Sequence, residues 1–530
     1  MKLIDFVSKI CYNKVTVVVF TAFVYYERAS KNYLFYQKEK RKFMAKILII
    51  GGGVAGLSAG IYAQKLGHHA VICEKHFIAG GNLCGWDRGE YHIDNCIHWL
   101  TGTNPVTKTY KMWEDLGALG EIEIFQGESL FTCEYDGKRV SLWKDIEKME
   151  NEMLSISPED EKEIRSFVRA IQTVQGFCGI AGAKHNEKIS PFRAILGIPA
   201  LIKYYHLTTG ELSERFSNPV LQFFFKAFWG NEFSSLALVL VCAHFCGENG
   251  GIPEGSSCAM ADRMSERFQS LGGELLLKKE AVKIHHENGK ATEVSFSDGT
   301  SLQADYIILS ADPASVFGKI LELPMPKQLV GFYKNPRFKR FSSYQCALSC
   351  SLPELPFSGD IIFEIPKEYR EILGTEQLIV REFSHEKTFS PDAKNILQTM
   401  TFVYEDDAKK FIQLRETDRK SYLQKKKEIG EILLNLIENQ FPEMQGTLQF
   451  IDVWTPATYR RFTGSEMGSF MSFALPSKVL PLRVDNCVEG LSNVILATQW
   501  QQAPGGLPIA AEAGKVAAET IDKKERSRKN

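Results

Sequence analysis

The 530-residue chain is 44% hydrophobic and 24% charged, with a formal net charge of −1. That length supports a large core divided among two or more domains. The even charge balance excludes the basic footprint of a nucleic-acid-binding protein. In chain order, the first notable stretch is Val15–Tyr26, "VTVVVFTAFVYY". It is too short for a membrane span, which needs about 20 residues. No small-residue cleavage site follows it, so it does not read as a signal peptide. Met44 opens "MAKILII" directly on an apolar strand, so residues 1–43 are read as a translated leader or misassigned start. A membrane anchor is the alternative.

Lys46–Ile50 is a continuous apolar run, as in a strand buried on both faces. Gly51, Gly53 and Gly56 follow as G-x-G-x-x-G. Gly51 allows the tight turn, Gly53 lets a pyrophosphate approach, and Gly56 lets helix and strand pack closely. A helix from Val54 to about Leu66, ended by Gly67, aims the N–H groups of its first residues, Val54 and Ala55 among them, at the phosphates. His69–Cys73 is the second strand, and Glu74, followed by Lys75, comes 18 residues after Gly56. A carboxylate at Glu74 accepts ribose hydroxyls and repels a 2′-phosphate, which disfavours NADP. NAD and FAD both remain on these residues alone.

Three further stretches bear on that choice. Ala79–Thr103 carries a Gly80-Gly81 pair soon after the acid. Leu271–Pro313 reads as a strand, a hairpin around Glu287–Lys290, a turn at Asp298-Gly299 and a buried strand Tyr306–Ser310. Leu491–Ile521 reads as a strand Val494–Ala497, a Pro504-Gly505-Gly506 turn and an Ala-rich helix from Pro508. The tail "DKKERSRKN" is expected to fray.

Together these stretches resemble the FAD-binding domain of the phytoene desaturase and retinol saturase family, within the amine-oxidase-like flavoproteins. Gly250–Glu274, Pro456–Gly468 and an amphipathic helix at Arg419–Gln440 extend the resemblance over most of Lys46–Ile521. It implies an α/β fold: a doubly wound, glutathione-reductase-type Rossmann-like FAD domain from 44–103, 250–315 and 485–525. An inserted α+β substrate domain with a helical cap would come from 104–249 and 316–484. It implies FAD as cofactor, with Gly51, Gly53 and Gly56 at the pyrophosphate and Glu74 at the adenosine ribose. Gly81 and Asn82 would approach the ribityl–phosphate region, and Val282 would meet the adenine through its backbone. Gly505, Gly506 and Leu507 would lie beside the isoalloxazine ring. The chain departs from the family at Glu254-Gly255-Ser256, where Gly-Gly is usual, and at Asp94-Asn95-Cys96, where Asp-x-Gly is common.

In the substrate segments, Pro191–Leu207 and Val220–Cys246 are unusually apolar and aromatic. They read either as buried core or as the wall of a lipophilic tunnel, the first stretch resting on a membrane through Arg193 and Lys203. His98, Tyr459, Gln499 and Trp500 are the candidate catalytic or ring-facing residues, with Cys96 and Arg460 beside them in sequence. The twelve cysteines form no CxxC pair, and Cys242/Cys246 and Cys346/Cys350 read as core packing. No metal site is expected, and a reducing, cytoplasmic setting fits, with contact to the inner face of the membrane.

The expected function is FAD-dependent saturation or desaturation of carbon–carbon bonds in a lipophilic, carotenoid- or retinoid-like substrate. No second glycine fingerprint appears, so electrons are expected to pass through the same pocket, from NADH or a protein carrier. A double-bond isomerase, an amine oxidase and a non-catalytic isoprenoid-binding protein are the alternatives.

Overall fold

The computed structural model describes residues 45–178 and 198–528. A six-stranded sheet runs in the order Glu274–Leu276, His69–Cys73, Lys46–Ile50, Tyr306–Leu309, Leu491–Leu496 and Cys487–Val488. All its pairings are parallel except the last. Its central strands come from three distant parts of the chain, and their apolar runs are buried because helices cover one face and the antiparallel strands Ala281–Glu287 and Lys290–Phe296 cover the other. Helix Val54–Lys65 packs against helix Leu507–Ser527, with Ser58 Oγ donating to the Ala511 carbonyl at 2.6 Å. Gly514 makes this approach possible, since a Cβ there would collide with the Ala55 carbonyl.

A second, seven-stranded mixed sheet has the order Leu448–Trp454, Gln345–Cys350, Asn395–Met400, Gln377–Glu382, Asp360–Glu364, Ser129–Tyr135 and Lys138–Trp143. Helix Arg419–Gln440, expected from its amphipathic pattern, packs on this sheet through Ile429, Leu433, Leu436 and Ile437. Cys346 and Cys350 share a face of one strand and are buried in that core.

Helix Ser235–Cys246 is buried with Phe223, Phe224, Phe225 and Phe228 in the largest apolar core. Lys203 is ion-paired with Glu163 rather than held out toward a surface. Residues 1–43 and Arg193 lie outside the described residues. No helix of the described residues is long and apolar enough to cross a membrane.

The C-terminal tail corrects the expectation of fraying. The last helix runs to Ser527, because Glu525 accepts from the Tyr306 hydroxyl at 2.7 Å and Asp522 pairs with Arg526 at 2.8 Å. A charged sequence stays helical where i, i+4 pairs and one buried anchor support it.

At the departure Glu254-Gly255-Ser256, both Gly255 and Ser256 have positive φ, +71° and +49°. Ser256 is buried, and its hydroxyl has no partner. The neighbouring Ser257 N–H at the start of helix Ser256–Ser270 donates to Asp94 at 2.7 Å. Ser256 thus carries the cost of a left-handed conformation and of an unpaired hydroxyl. Replacing it with glycine, S256G, is expected to stabilise the fold by about 1 kcal/mol, seen as a higher melting temperature.

Candidate functional site

The fingerprint turn is held by backbone contacts. Gly51 has φ +106°, and its carbonyl accepts from Ser310 Oγ at 2.7 Å. A Cβ on Gly56 would collide with the same Gly51 carbonyl. Gly53 ends the turn and precedes helix Val54–Lys65 with no side-chain cap, so the first N–H groups, those of Val54 and Ala55 included, meet no capping side chain. A Cβ on Gly53 would meet nothing closer than 3.8 Å. An open space over an uncapped helix start is what a pyrophosphate needs.

Glu74 is buried at the end of the second strand. Its Oε2 accepts from the Gly52 N–H at 2.6 Å and its Oε1 from the His76 N–H at 2.8 Å. The carboxylate is thereby fixed beside the turn. Lys75 turns to the C-terminal end of helix Pro456–Thr463, donating to the Arg461 carbonyl at 3.3 Å. Burial lowers the Lys75 pKa. Val282 lies at a bulge in the hairpin strand Ala281–Glu287, where the register skips from Ala281 to Lys283. The bulge leaves its backbone outside the ladder and its side chain exposed.

At the other end, Gly506 has φ +127°, and a Cβ on it would meet nothing within 4 Å. Leu507 begins the last helix, again without a side-chain cap. Gly505 is packed tightly: a Cβ there would lie 2.6 Å from both Gln499 Oε1 and Ser472 Oγ. Gln499 Oε1 accepts from the Gly506 N–H at 2.9 Å. Gln499 therefore fixes the turn. Trp500 is 3% exposed, with its ring enclosed by Tyr333 and Phe473, and serves as a packing support.

Gly81 has φ +64° and approaches Gly53. Asn82 follows it, with Nδ2 donating to the Phe470 carbonyl at 3.1 Å and Oδ1 buried without a partner. An orphaned buried acceptor needs a donor, which a flavin ring or ribityl chain would supply. The Asn82 carbonyl accepts from Asn95 Nδ2 at 3.1 Å, and Asn95 Oδ1 accepts from the Tyr459 hydroxyl at 3.0 Å. That hydroxyl in turn accepts from Gln345 Nε2 at 2.8 Å and Trp454 Nε1 at 3.2 Å. Burial, first of all, pushes the Tyr459 phenol well above its ordinary pKa. Tyr459 is therefore a neutral tie between the glycine loop and the second sheet. Its neighbour Arg460 pairs with Glu416 on another helix, away from this tie.

His98 is placed against the second sheet, its Nδ1 3.3 Å from Asp360 Oδ2. Cys96 is half-buried, and burial raises its thiol pKa. A second tie escaped sequence reasoning. Asp312 accepts from the Tyr333 hydroxyl at 2.7 Å and the Glu466 N–H at 2.9 Å, joining the end of the nucleotide sheet to the loop after helix Pro456–Thr463. The "ADP" stretch that holds it was visible, but its partners are far away in sequence.

A model of the family described as flavin containing amine oxidoreductase matches residues 54–522. The chain belongs to this family. Among relatives of this flavin oxidoreductase, the 1-hydroxycarotenoid 3,4-desaturase of Flavobacterium sp. (strain P99-3) is 24% identical over 352 residues, 63% of this chain and 70% of that protein. The chloroplastic prolycopene isomerase of Daucus carota is 22% identical over 445 residues, 80% of this chain and 71% of that one. Among solved structures, an oxidoreductase from Methanosarcina mazei is similar with a TM-score of 0.58 at 16% identity, covering 90% of this chain and 100% of that chain. Putrescine-bound wild-type putrescine oxidase gives 0.55 at 15%, covering 90% and 99%. These structural likenesses establish the α/β flavoprotein fold.

The residues present fit a flavin. Gly51–Gly56 and the two uncapped helix starts would hold its phosphates and its ring edge, and Asn82 would meet its middle. Substituting G56A is expected to cost about 1–3 kcal/mol through the clash with Gly51 and to abolish the flavin's visible absorption in the purified protein. A yellow, equally stable G56A protein would contradict this placement.

Proposed function

We propose that the chain is a FAD-dependent oxidoreductase that desaturates or saturates carbon–carbon bonds of a lipophilic polyene. FAD, rather than a smaller flavin, is supported by the buried Glu74 and the bulge at Val282, which suit an adenosine end. The lipophilic substrate is supported by the names of the sequence relatives and by the wall next to the ties. Phe470 lies 5.3 Å from Phe341 and 6.2 Å from Phe402, ring to ring, and packs against the largest apolar core. A hydrocarbon chain needs such a wall, whereas an amine needs a carboxylate or an open aromatic cage.

The observation that carries the reading is the Tyr459 hydroxyl, turned inward to Asn95, Gln345 and Trp454. It leaves apolar ring surface rather than a phenol beside Phe470, at 6.3 Å between rings. When bound, the flavin supplies a two-electron acceptor and donor for hydride exchange. The chain's own share is positional. Gln499 fixes the Gly505–Gly506 turn, and the start of helix Leu507–Ser527 favours negative charge by about 1 kcal/mol. The Asn82–Asn95–Tyr459 tie sets the glycine loop against the second sheet.

Redox-neutral isomerisation is the second reading, supported by the prolycopene isomerase likeness, which spans more of this chain than the desaturase likeness. Incubation with a partly saturated carotenoid hydrocarbon and an electron acceptor separates them by mass spectrometry. Loss of two hydrogen atoms, with absorption shifted to longer wavelength, is expected. A product of unchanged mass favours the isomerase, and turnover of putrescine with the polyene untouched would overturn both.

A further inference from the structure

Between the large apolar core and the second sheet lies a cavity of about 40 Å³ that the site described above does not use. One wall is apolar, made by Leu130, Phe245 and Ile252, of which the first two belong to the aromatic core. The opposite wall carries His98, Asp360 and Arg381. At the rim, half-exposed Phe125 stacks on His385, with centroids 4.4 Å apart and planes at 10°. The volume suits a small polar group or a few waters.

The bonding inventory of the polar wall is specific. Both Asp360 oxygens are taken, Oδ1 by Arg381 Nε and Oδ2 by His98 Nδ1, each at 3.3 Å. Both Glu382 oxygens are taken by the Gly359 and Ser384 N–H groups, at 2.9 and 2.6 Å. Arg381 Nη2 donates to the Ile97 carbonyl at 2.8 Å, which leaves Nη1 as a donor. A carboxylate accepts only, so His98 carries its proton on Nδ1 and leaves Nε2 as an acceptor. Burial, then Arg381, holds the His98 pKa below its ordinary value, which keeps the ring neutral. His385 Nε2 is buried and has no partner. The cavity therefore offers at least one donor and one acceptor, while its two carboxylates outnumber the single guanidinium.

We propose that this cavity is a subsite for a hydroxyl group on the end of the lipophilic substrate. A hydroxyl donates and accepts at once, so it satisfies Arg381 Nη1 and His98 Nε2 together. A hydrocarbon end would leave both unpaired, and a carboxylate would meet the repulsion of Asp360 and Glu382. His98 acts here as a specificity residue and not at the reacting bond. The inference rests on the reading of the substrate as a lipophilic polyene.

The test is direct binding, read by polyene fluorescence and independent of turnover. Three probes are titrated into the flavin-loaded protein from the same detergent micelles: all-trans-retinol, its hydrocarbon analogue with methyl in place of the CH2OH group, and retinoate. Retinol is expected to bind about tenfold more tightly than the hydrocarbon, with retinoate no better than the hydrocarbon. H98L is expected to erase the preference for retinol over the hydrocarbon. Equal binding of retinol and hydrocarbon by the wild type would overturn the subsite and leave the polyene reading standing. Tightest binding of retinoate, or a preference that survives H98L, would likewise overturn it. Failure of all three to bind would overturn the polyene reading and the subsite with it.

Discussion

The turn from Gly51 to Gly56 brings backbone against backbone with no room for a side chain, and much of the molecule is arranged around that contact. A Cβ on Gly56 would strike the Gly51 carbonyl, and one on Gly514 would strike the Ala55 carbonyl. Strand Lys46–Ile50, helix Val54–Lys65 and helix Leu507–Ser527 therefore meet as three close-packed elements. Their packing leaves two helix starts without side-chain caps. Both ends of the chain's nucleotide domain are thus brought together, and sequence positions over 450 residues apart share a hydrogen bond at Ser58 and Ala511.

Two polar ties join this domain to the rest of the molecule, the first to the second sheet and the second to helix Lys327–Lys334 and the loop after helix Pro456–Thr463. Asn82, Asn95, Tyr459 and Gln345 form one, and Tyr333, Asp312 and Glu466 form the other. Buried polar groups are expensive when unpaired and stiff when paired. Here almost every atom is paired, and Asn82 Oδ1 is the exception. The ties fix the distance between glycine loop and aromatic wall. They also explain why Tyr459 serves position rather than proton transfer: its phenol is enclosed, neutral and fully engaged.

Local features were legible in the sequence. The glycine fingerprint, the acid after the second strand, the hairpin at Glu287–Lys290 and helix Arg419–Gln440 depend on neighbours a few residues away. Gln499, Trp500 and His98 were harder. Each lies close in sequence to a cofactor motif, yet its side chain is directed by a distant partner: Gly506 across a turn, Tyr333 and Phe473, and Asp360 respectively. The C-terminal tail misled because its charges look solvated, while Tyr306 on a central strand anchors Glu525. Arg381 and His385 gave no signal, since only strand pairing in the second sheet brings them to His98.

The most direct check of the account is the identity of the cofactor that the purified, natively loaded protein releases on denaturation. Chromatography with mass detection is expected to find FAD, about one per chain, the cofactor proposed from the fingerprint, Glu74 and the Gly505–Gly506 turn. Release of a nicotinamide dinucleotide, or of no dinucleotide from a protein that cannot be reloaded with FAD, would contradict it.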